Sequence, residues 1–332
     1  MILPDPWSGP FSLPDTTSIT GLPLASGIKN MFREKRWCYA GIVSPDLFFG
    51  AAVVHLGYAA SGFCFGFDRK SKEMLEYTQV SLPINHVRYD RHPESGTCRF
   101  NSGKNNIEIS GDLSQVKQLN ISLIKDGQPL KAAIDFYAPD TGFSPMHFPM
   151  DMGLERTAFT TKAAGLEARG EILLGDKNFR LTPDNTFALF DWTHGAYPRQ
   201  TFWNWACGAG SGEDKMGKQA KVGFNFSKGV YENGRLENTV WINGVPEPAG
   251  EIDYVYDPKK PLSPWQIQSK DMKIKLTFNP EGIRQANDNF IVLASRFIQP
   301  CGQFEGKITT ASGNTYTLES TSGVVEEHYA KW

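Results

Sequence analysis

Apolar and polar residues alternate along this chain in runs of strand length, and Gly, Pro, Asn and Asp interrupt them before a run reaches the length of an ordinary helix. Runs rich in Val, Ile, Phe, Tyr and Trp predict strands over residues 37–43, 47–54, 62–68, 74–82, 99–101, 106–110, 116–124 and 130–136. The second half continues the style over 158–162, 167–174, 187–192, 201–207, 219–226, 239–242, 252–256, 272–278, 290–299, 302–309 and 315–318. Only 26–36 and 281–287 read as helical, and both are short. The fold class is therefore all-β, and two tandem antiparallel barrels or curved sandwiches fit it better than any α/β scheme.

Turn chemistry agrees, because Ser44-Pro45-Asp46, Lys125-Asp126-Gly127 and Glu232-Asn233-Gly234 supply residues suited to tight reversals. Between 137 and 151, Pro139, Gly142, Pro145 and Pro149 predict a linker. That places an N-terminal β domain over 1–150 and a C-terminal β domain over 151–332. Each half has a tryptophan-bearing strand followed by a hairpin, without a repeat of fixed period.

Composition narrows the function classes. Hydrophobic residues make up 40% of the 332 and aromatics 12%, which excludes a disordered chain, and 32 Gly with 21 Pro fit a fold rich in turns. Lys+Arg 34 against Asp+Glu 36 gives a formal charge of -2 with no basic stripe, so no nucleic-acid partner is expected. Residues 47–67 carry no formal charge over a length that would suit a membrane span. Gly50, Gly57, Gly62 and Gly66, with a break at Gly57-Tyr58-Ala59-Ala60, instead predict two buried strands joined by a turn and no integral membrane segment. Cys38, Cys64, Cys98, Cys207 and Cys301 lack the paired spacing of a zinc site and read as reduced, buried thiols. Residues 1–14 hold four prolines and no apolar signal segment, so an extended arm and a cytoplasmic location are expected. The oligomeric state stays open.

The densest chemistry lies between Phe187 and Trp205. An apolar strand ends at Asp191, a loop through Gly195 and Pro198 turns the chain, and a second strand carries Trp203, Asn204 and Trp205. Period-two alternation sends both tryptophans to one face and Asn204 to the other. A carboxyl group beside water-poor aromatic surface can retain its proton and donate it, and tryptophan faces stabilise developing cations. On this reading Asp191 and His194 are catalytic, while Trp192, Tyr197, Arg199, Trp203, Asn204 and Trp205 bind substrate. The bland alternative pairs Asp191 with Arg199 and leaves the tryptophans in the core.

Other features carry less. The six histidines form no metal set, and only His194, three residues after Asp191, has suggestive neighbours. Gly208-Ala209-Gly210-Ser211-Gly212 lacks the Lys-Ser or Lys-Thr pair of a phosphate loop and reads as a hairpin turn at a pocket mouth. No Gly-x-Ser-x-Gly elbow is present. Tyr77, Glu155, Lys162, Asn225 and Glu237 are polar groups near strand-like runs.

The run Asp-Trp-x-x-Gly-x-Tyr-Pro-x-x-Thr-Phe-Trp-Asn-Trp from Asp191 to Trp205 resembles the signature of a bacterial family called domain of unknown function 2804. Lys35-Arg36-Trp37 with Ser44-Pro45-Asp46, Thr160-Thr161-Lys162 and Glu237-Asn238 extend the likeness along nearly the whole chain. More distantly, the pattern is similar to a superfamily of carotenoid hydratases, tocopherol cyclases and fungal pericyclic cyclases. That resemblance implies tandem lipocalin-like β domains, an apolar pocket and action without redox cofactors. It also implies an acidic role for Asp191 and an aromatic pair at Trp203 and Trp205.

Three functions follow as expectations. The first is a cofactor-independent acid–base enzyme, of hydratase, cyclase, isomerase or lyase type, on an apolar or amphipathic small molecule. The second is a lipocalin-like protein that binds a lipid or similar ligand without catalysis. The third is a carbohydrate-active enzyme of glycoside hydrolase type, since aromatic platforms and paired carboxylates also suit a sugar. No cofactor or metal is expected in any of them.

Overall fold

The computed structural model describes residues 33–82, 86–139, 142–152, 156–229, 236–290 and 293–331. Strands dominate it, as the alternation predicts, and they form two antiparallel sheets. The first sheet holds β1 (Glu34–Val43), β2 (Leu47–His55), β3 (Ala60–Asp68), β4 (Glu73–Ser81), β5 (Val87–Tyr89), β6 (Cys98–Ser102) and β7 (Asn105–Gly111). It continues with β8 (Lys117–Lys125), β9 (Gln128–Tyr137), β10 (Met146–Asp151), β11 (Thr157–Leu174), β12 (Lys177–Leu181) and β13 (Phe187–Ala196). Its spatial order is β4-β3-β2-β1-β13-β11-β9-β8-β7-β6-β5, with β10 and β12 paired to β11.

The second sheet holds β14 (Gln200–Asp214), β15 (Gln219–Lys228), β16 (Thr239–Ile242), β17 (Val245–Pro248), β18 (Ile252–Val255), β19 (Trp265–Ser269), β20 (Ile274–Phe290), β21 (Leu293–Thr309) and β22 (Thr315–Lys331). Its order is β17-β16-β15-β14-β22-β21-β20-β19-β18. The chain forms two compact units. One comprises residues up to Ala138 with His147–Lys162 and Leu166–Pro198, the other Pro139–Met146, Ala163–Gly165 and Arg199–Trp332.

The main division thus falls at Pro198/Arg199 rather than near residue 150. The Pro-rich segment read as a linker contains β10, and β11 and β13 bond to β9 and β1 in the first sheet. Prolines at sheet positions that need no N–H donor do not stop a strand. Residues 281–287, read as helical, lie inside β20, where Arg284 faces Gln299 and Gln285 faces Ile298 across the hairpin with β21. Pairing with a long partner overrides local propensity there. Gly208–Gly212 is likewise no turn: it sits inside β14, where a Cβ on Gly208 would come within 2.7 Å of the Phe224 ring. The 26–32 part of the other helix expectation, the arm at 1–14, Glu155 and the turn at 232–234 lie outside the described residues.

Residues 47–67 form β2 and β3, joined by a turn closed by the Leu56 N–H on the Ala59 carbonyl at 2.8 Å. No helix among the described residues is long and apolar enough to cross a membrane. At Asp126-Gly127 both residues have positive φ, 50° and 77°, which is the geometry a two-residue hairpin loop demands.

Side-chain periodicity places the cores. On β8 the residues Leu119, Ile121 and Leu123 are buried while Gln118, Ser122 and Ile124 are exposed, the half-buried pattern of a sheet with one wet face. β13 differs, because all ten of its residues are buried. The first sheet curls until β5 lies across β1 and β13: the Tyr89 hydroxyl sits 2.8 Å from the Trp37 carbonyl and 2.7 Å from that of Thr193. In the second unit the core includes Val222, Phe224, Phe226, Trp265, Phe278 and Phe304, with Phe224 edge-on to Phe304 at 4.9 Å. All five cysteines are buried, and none of them forms a disulfide among the described residues.

Candidate functional site

Asp191 and His194 lie on opposite faces of β13. The register pairs Tyr39 with Asp191, Trp37 with Thr193 and Arg36 with His194, so odd-numbered residues of β13 share one face and even-numbered ones the other. Asp191 and His194, three residues apart in sequence, therefore do not meet.

On the odd face, Asp191 accepts from Lys162 Nζ at 3.0 Å and Trp37 Nε1 at 3.3 Å through one oxygen, and from the Thr193 hydroxyl at 3.0 Å through the other. The Thr160 hydroxyl lies 3.4 Å from that second oxygen and 2.8 Å from the Thr193 hydroxyl. Lys162 and Asp191 are both buried, so this is a desolvated ion pair whose remaining acceptor sites are filled. The cation beside Asp191 is Lys162, where the bland reading expected Arg199; Arg199 is exposed between β13 and β14. Tyr197 joins this side through Trp37, its ring 5.2 Å from the indole.

On the even face, His194 finds a different carboxylate. Its Nε2 lies 2.6 Å from Glu34 Oε1, and the Arg36 guanidinium meets the same oxygen at 2.7 Å. Burial pushes the His194 pKa down to about 4 against the opposing pull of Glu34. Burial raises that of Glu34, but the hydrogen bond from His194 and the charge of Arg36 outweigh it and bring it down to about 2. At neutral pH the pair is a neutral imidazole donating Nε2–H to a carboxylate, which leaves Nδ1 as a bare acceptor. Trp192, 1% exposed, packs T-shaped on His194 at 5.9 Å, and Tyr89 lies 5.5 Å from the Trp192 ring. Three buried polar atoms of this face, His194 Nδ1, Trp192 Nε1 and Arg36 Nε, have no hydrogen-bond partner among the described residues.

Trp203, Asn204 and Trp205 belong to the second unit, and their alternation is as expected. Trp203 faces His328 across the β14–β22 ladder and Trp205 faces Glu326, while Asn204 points the other way and donates to the Tyr256 hydroxyl at 2.9 Å. Trp205 Nε1 donates to Asn225 Oδ1 at 2.7 Å, and Asn225 donates to the Glu237 carbonyl at 3.2 Å. Trp203 Nε1 donates to Glu326 Oε1 at 2.7 Å, and its ring lies 4.2 Å from that of His328.

Sequence reasoning missed Glu34, Arg36, Glu326 and His328 as site residues. For Glu326 and His328 the available signal was their spacing of two on a strand, which puts both on one face. For Glu34 no local signal exists, since its partner is brought to it by the β1–β13 pairing. Among the described residues no group of three or more His, Cys, Asp or Glu could hold a metal ion.

An all-β chain of two antiparallel sheets, each carrying a carboxylate–histidine pair with one buried member beside tryptophan, is the class that fold and side chains define. The chain belongs to the family described as Domain of unknown function (DUF2804), which matches residues 15–332. No curated protein matches its sequence. Among solved structures it is similar to CghA with Sch210972, with a TM-score of 0.56, 10% identity and coverage of 90% of this chain and 88% of that one. It is also similar to kievitone hydratase from Nectria haematococca, with a TM-score of 0.52, 13% identity and coverage of 90% of each chain. At these identities the likeness is one of fold.

Proposed function

We propose that the protein is a cofactor-independent acid–base enzyme, of hydratase or cyclase type, that acts on an apolar or amphipathic small molecule with His194 as its proton-moving group. The observation that carries this reading is the set of buried atoms without partners on one aromatic face: Trp192 Nε1, Arg36 Nε and His194 Nδ1. Each such group costs about 1–3 kcal/mol while unpaired, so their concentration beside a carboxylate-held histidine supports a reading in which a ligand completes the bonding. Two N–H donors and one ring acceptor complement a hydroxyl, which accepts twice and donates once. A hydroxyl held there gives its proton to His194 Nδ1, and the Glu34 carboxylate stabilises the imidazolium that results. Asp191, with its acceptor sites filled, serves in this reading to tie β1, β11 and β13 together. The fold shared with a hydratase supports the reaction type by analogy.

The test is uptake of solvent deuterium. Kievitone and a panel of hydroxylated apolar alkenes are incubated with the protein in D2O and read by mass spectrometry. At least one compound is expected to gain carbon-bound deuterium, with uptake falling about 10²–10⁴-fold in His194→Gln. Binding without uptake would make the protein a carrier. Neither binding nor uptake would show that the three atoms are completed by water alone.

A further inference from the structure

The face of the second sheet that turns away from its apolar core carries a different constellation. Ser295 on β21 and His328 on β22 lie diagonally across one ladder, since Phe297 faces His328 and Ser295 faces Ala330. The Ser295 hydroxyl is 3.1 Å from His328 Nε2. His328 Nδ1 is 3.4 Å from Glu326 Oε1. Both oxygens of Glu326 are fixed from elsewhere, Oε1 by Trp203 Nε1 at 2.7 Å and Oε2 by Gln299 Nε2 at 2.6 Å. The imidazole lies between two rings, Trp203 at 4.2 Å and Phe297 at 5.4 Å.

We propose that Ser295, His328 and Glu326 form a nucleophile–base–orienter triad, with Ser295 accepting acyl groups from esters of apolar or aromatic acids. Each ring nitrogen of His328 meets the partner such a triad needs, a hydroxyl at Nε2 and a carboxylate at Nδ1, and triads are recognised by this geometry and not by a sequence motif. The absence of a Gly-x-Ser-x-Gly elbow therefore does not count against it. Burial raises the pKa of Glu326, yet the bond and charge of His328, the Trp203 N–H and the charge of Arg284 bring it below the usual value, so Glu326 is the anion an orienting group must be. His328 keeps 18% side-chain exposure, which leaves an edge open to a substrate, and the flanking rings favour an apolar acyl group.

In the reaction Ser295 Oγ bonds to the ester carbonyl carbon as its proton passes to His328 Nε2. The ester C–O bond breaks, and the departing alkoxide takes that proton as an alcohol. Water then attacks the acyl-serine and gives His328 a proton, which returns to the Ser295 oxygen as the carboxylic acid leaves.

The probe is a biotinylated alkyl fluorophosphonate, in which Ser295 Oγ displaces fluoride from phosphorus and the serine proton leaves through His328. One label per chain, located on Ser295 by tandem mass spectrometry, is expected in the folded protein and none after unfolding in denaturant. Labelling should slow about 10²-fold or more in His328→Gln and vanish in Ser295→Ala, and hydrolysis of p-nitrophenyl butyrate should follow the same order. No label on the folded wild-type protein, a label elsewhere, or equal labelling of folded and unfolded chains would overturn the proposal, and these outcomes need no variant to fold. The inference is independent of the reading of His194: serine labelling and deuterium uptake are measured on different residues in different sheets, so either can fail while the other stands.

Discussion

The two sheets hold the same pair of residue types and turn it in opposite senses. In the first, His194 meets Glu34 through Nε2, and its Nδ1 is left bare among Trp192 and Tyr89. In the second, His328 meets Glu326 through Nδ1, and its Nε2 is taken by the Ser295 hydroxyl. The carboxylate does the same physical work in both, fixing the tautomer and the ring plane. What differs is the nitrogen left over: a bare acceptor on a dry aromatic face suits proton abstraction from a ligand, whereas a nitrogen already holding a hydroxyl suits activation of that hydroxyl. Residue identity alone would not separate the two; the register of β1 on β13 and of β21 on β22 does.

The largest effect should come from the carboxylate that belongs to neither pair. Asp191→Ala removes the buried carboxylate that Lys162, Trp37 and Thr193 all donate to, which should cost about 3–5 kcal/mol. Urea unfolding measures it, and Asp191→Leu combined with Lys162→Met should recover much of the loss. An Asp191→Ala protein as stable as the wild type would mean that the ion pair is not the structural tie described above.

A smaller effect sharpens the contrast between the histidines. His194 has its pKa lowered from 6.5 to about 4 in the folded chain, so between those values the unfolded chain binds more protons and stability must fall as pH falls. The full loss by pH 4 is about 3 kcal/mol at 1.36 kcal/mol per unit. Glu34, lowered from 4.5 to about 2, adds a further loss only below pH 4.5, as its carboxylate is protonated. Urea midpoints measured from pH 7 to 4 should slope downward in the wild-type protein and flatten in His194→Gln. An unchanged slope would place the titration elsewhere.

The smallest effect concerns the second sheet. Trp203→Phe keeps a ring beside His328 but removes the N–H that Glu326 accepts, a hydrogen bond to a charged group worth about 1.5–3 kcal/mol. The same unfolding measurement checks it, and Trp203→Leu, which also removes the ring packed at a tilt on His328, should cost more.

Much of this architecture is legible in the sequence, and the illegible parts share a cause. The apolar run at 239–242 coincides with β16, and the opposite facing of Trp203 and Asn204 follows from alternation alone. The strand within the Pro-rich segment and the β20 residues 281–287 were hidden because their pairing partners, not their composition, make them strands. The site divides the same way. His194 and Trp192 stand out locally, but the carboxylate bound to His194 comes from a strand more than a hundred residues earlier, and the nearest acidic residue in sequence, Asp191, points to the other face of β13. Proximity along a strand is a poor guide to proximity in space when the spacing is odd.

Both sheets pair their first strand with their last long one: β1 lies against β13, and β14 against β22. Consecutive hairpins such as β2–β3 and β8–β9 can close as soon as they leave the ribosome, but these two ladders must wait for almost the whole unit to emerge. Until then β1 and β14 each present an unpaired edge, and in β1 that edge belongs to a strand largely buried on both faces. The arrangement makes each unit a slow, late-closing folder, and the carboxylate–histidine pair in the first sheet, which spans β1 and β13, is among the last contacts the growing chain can make.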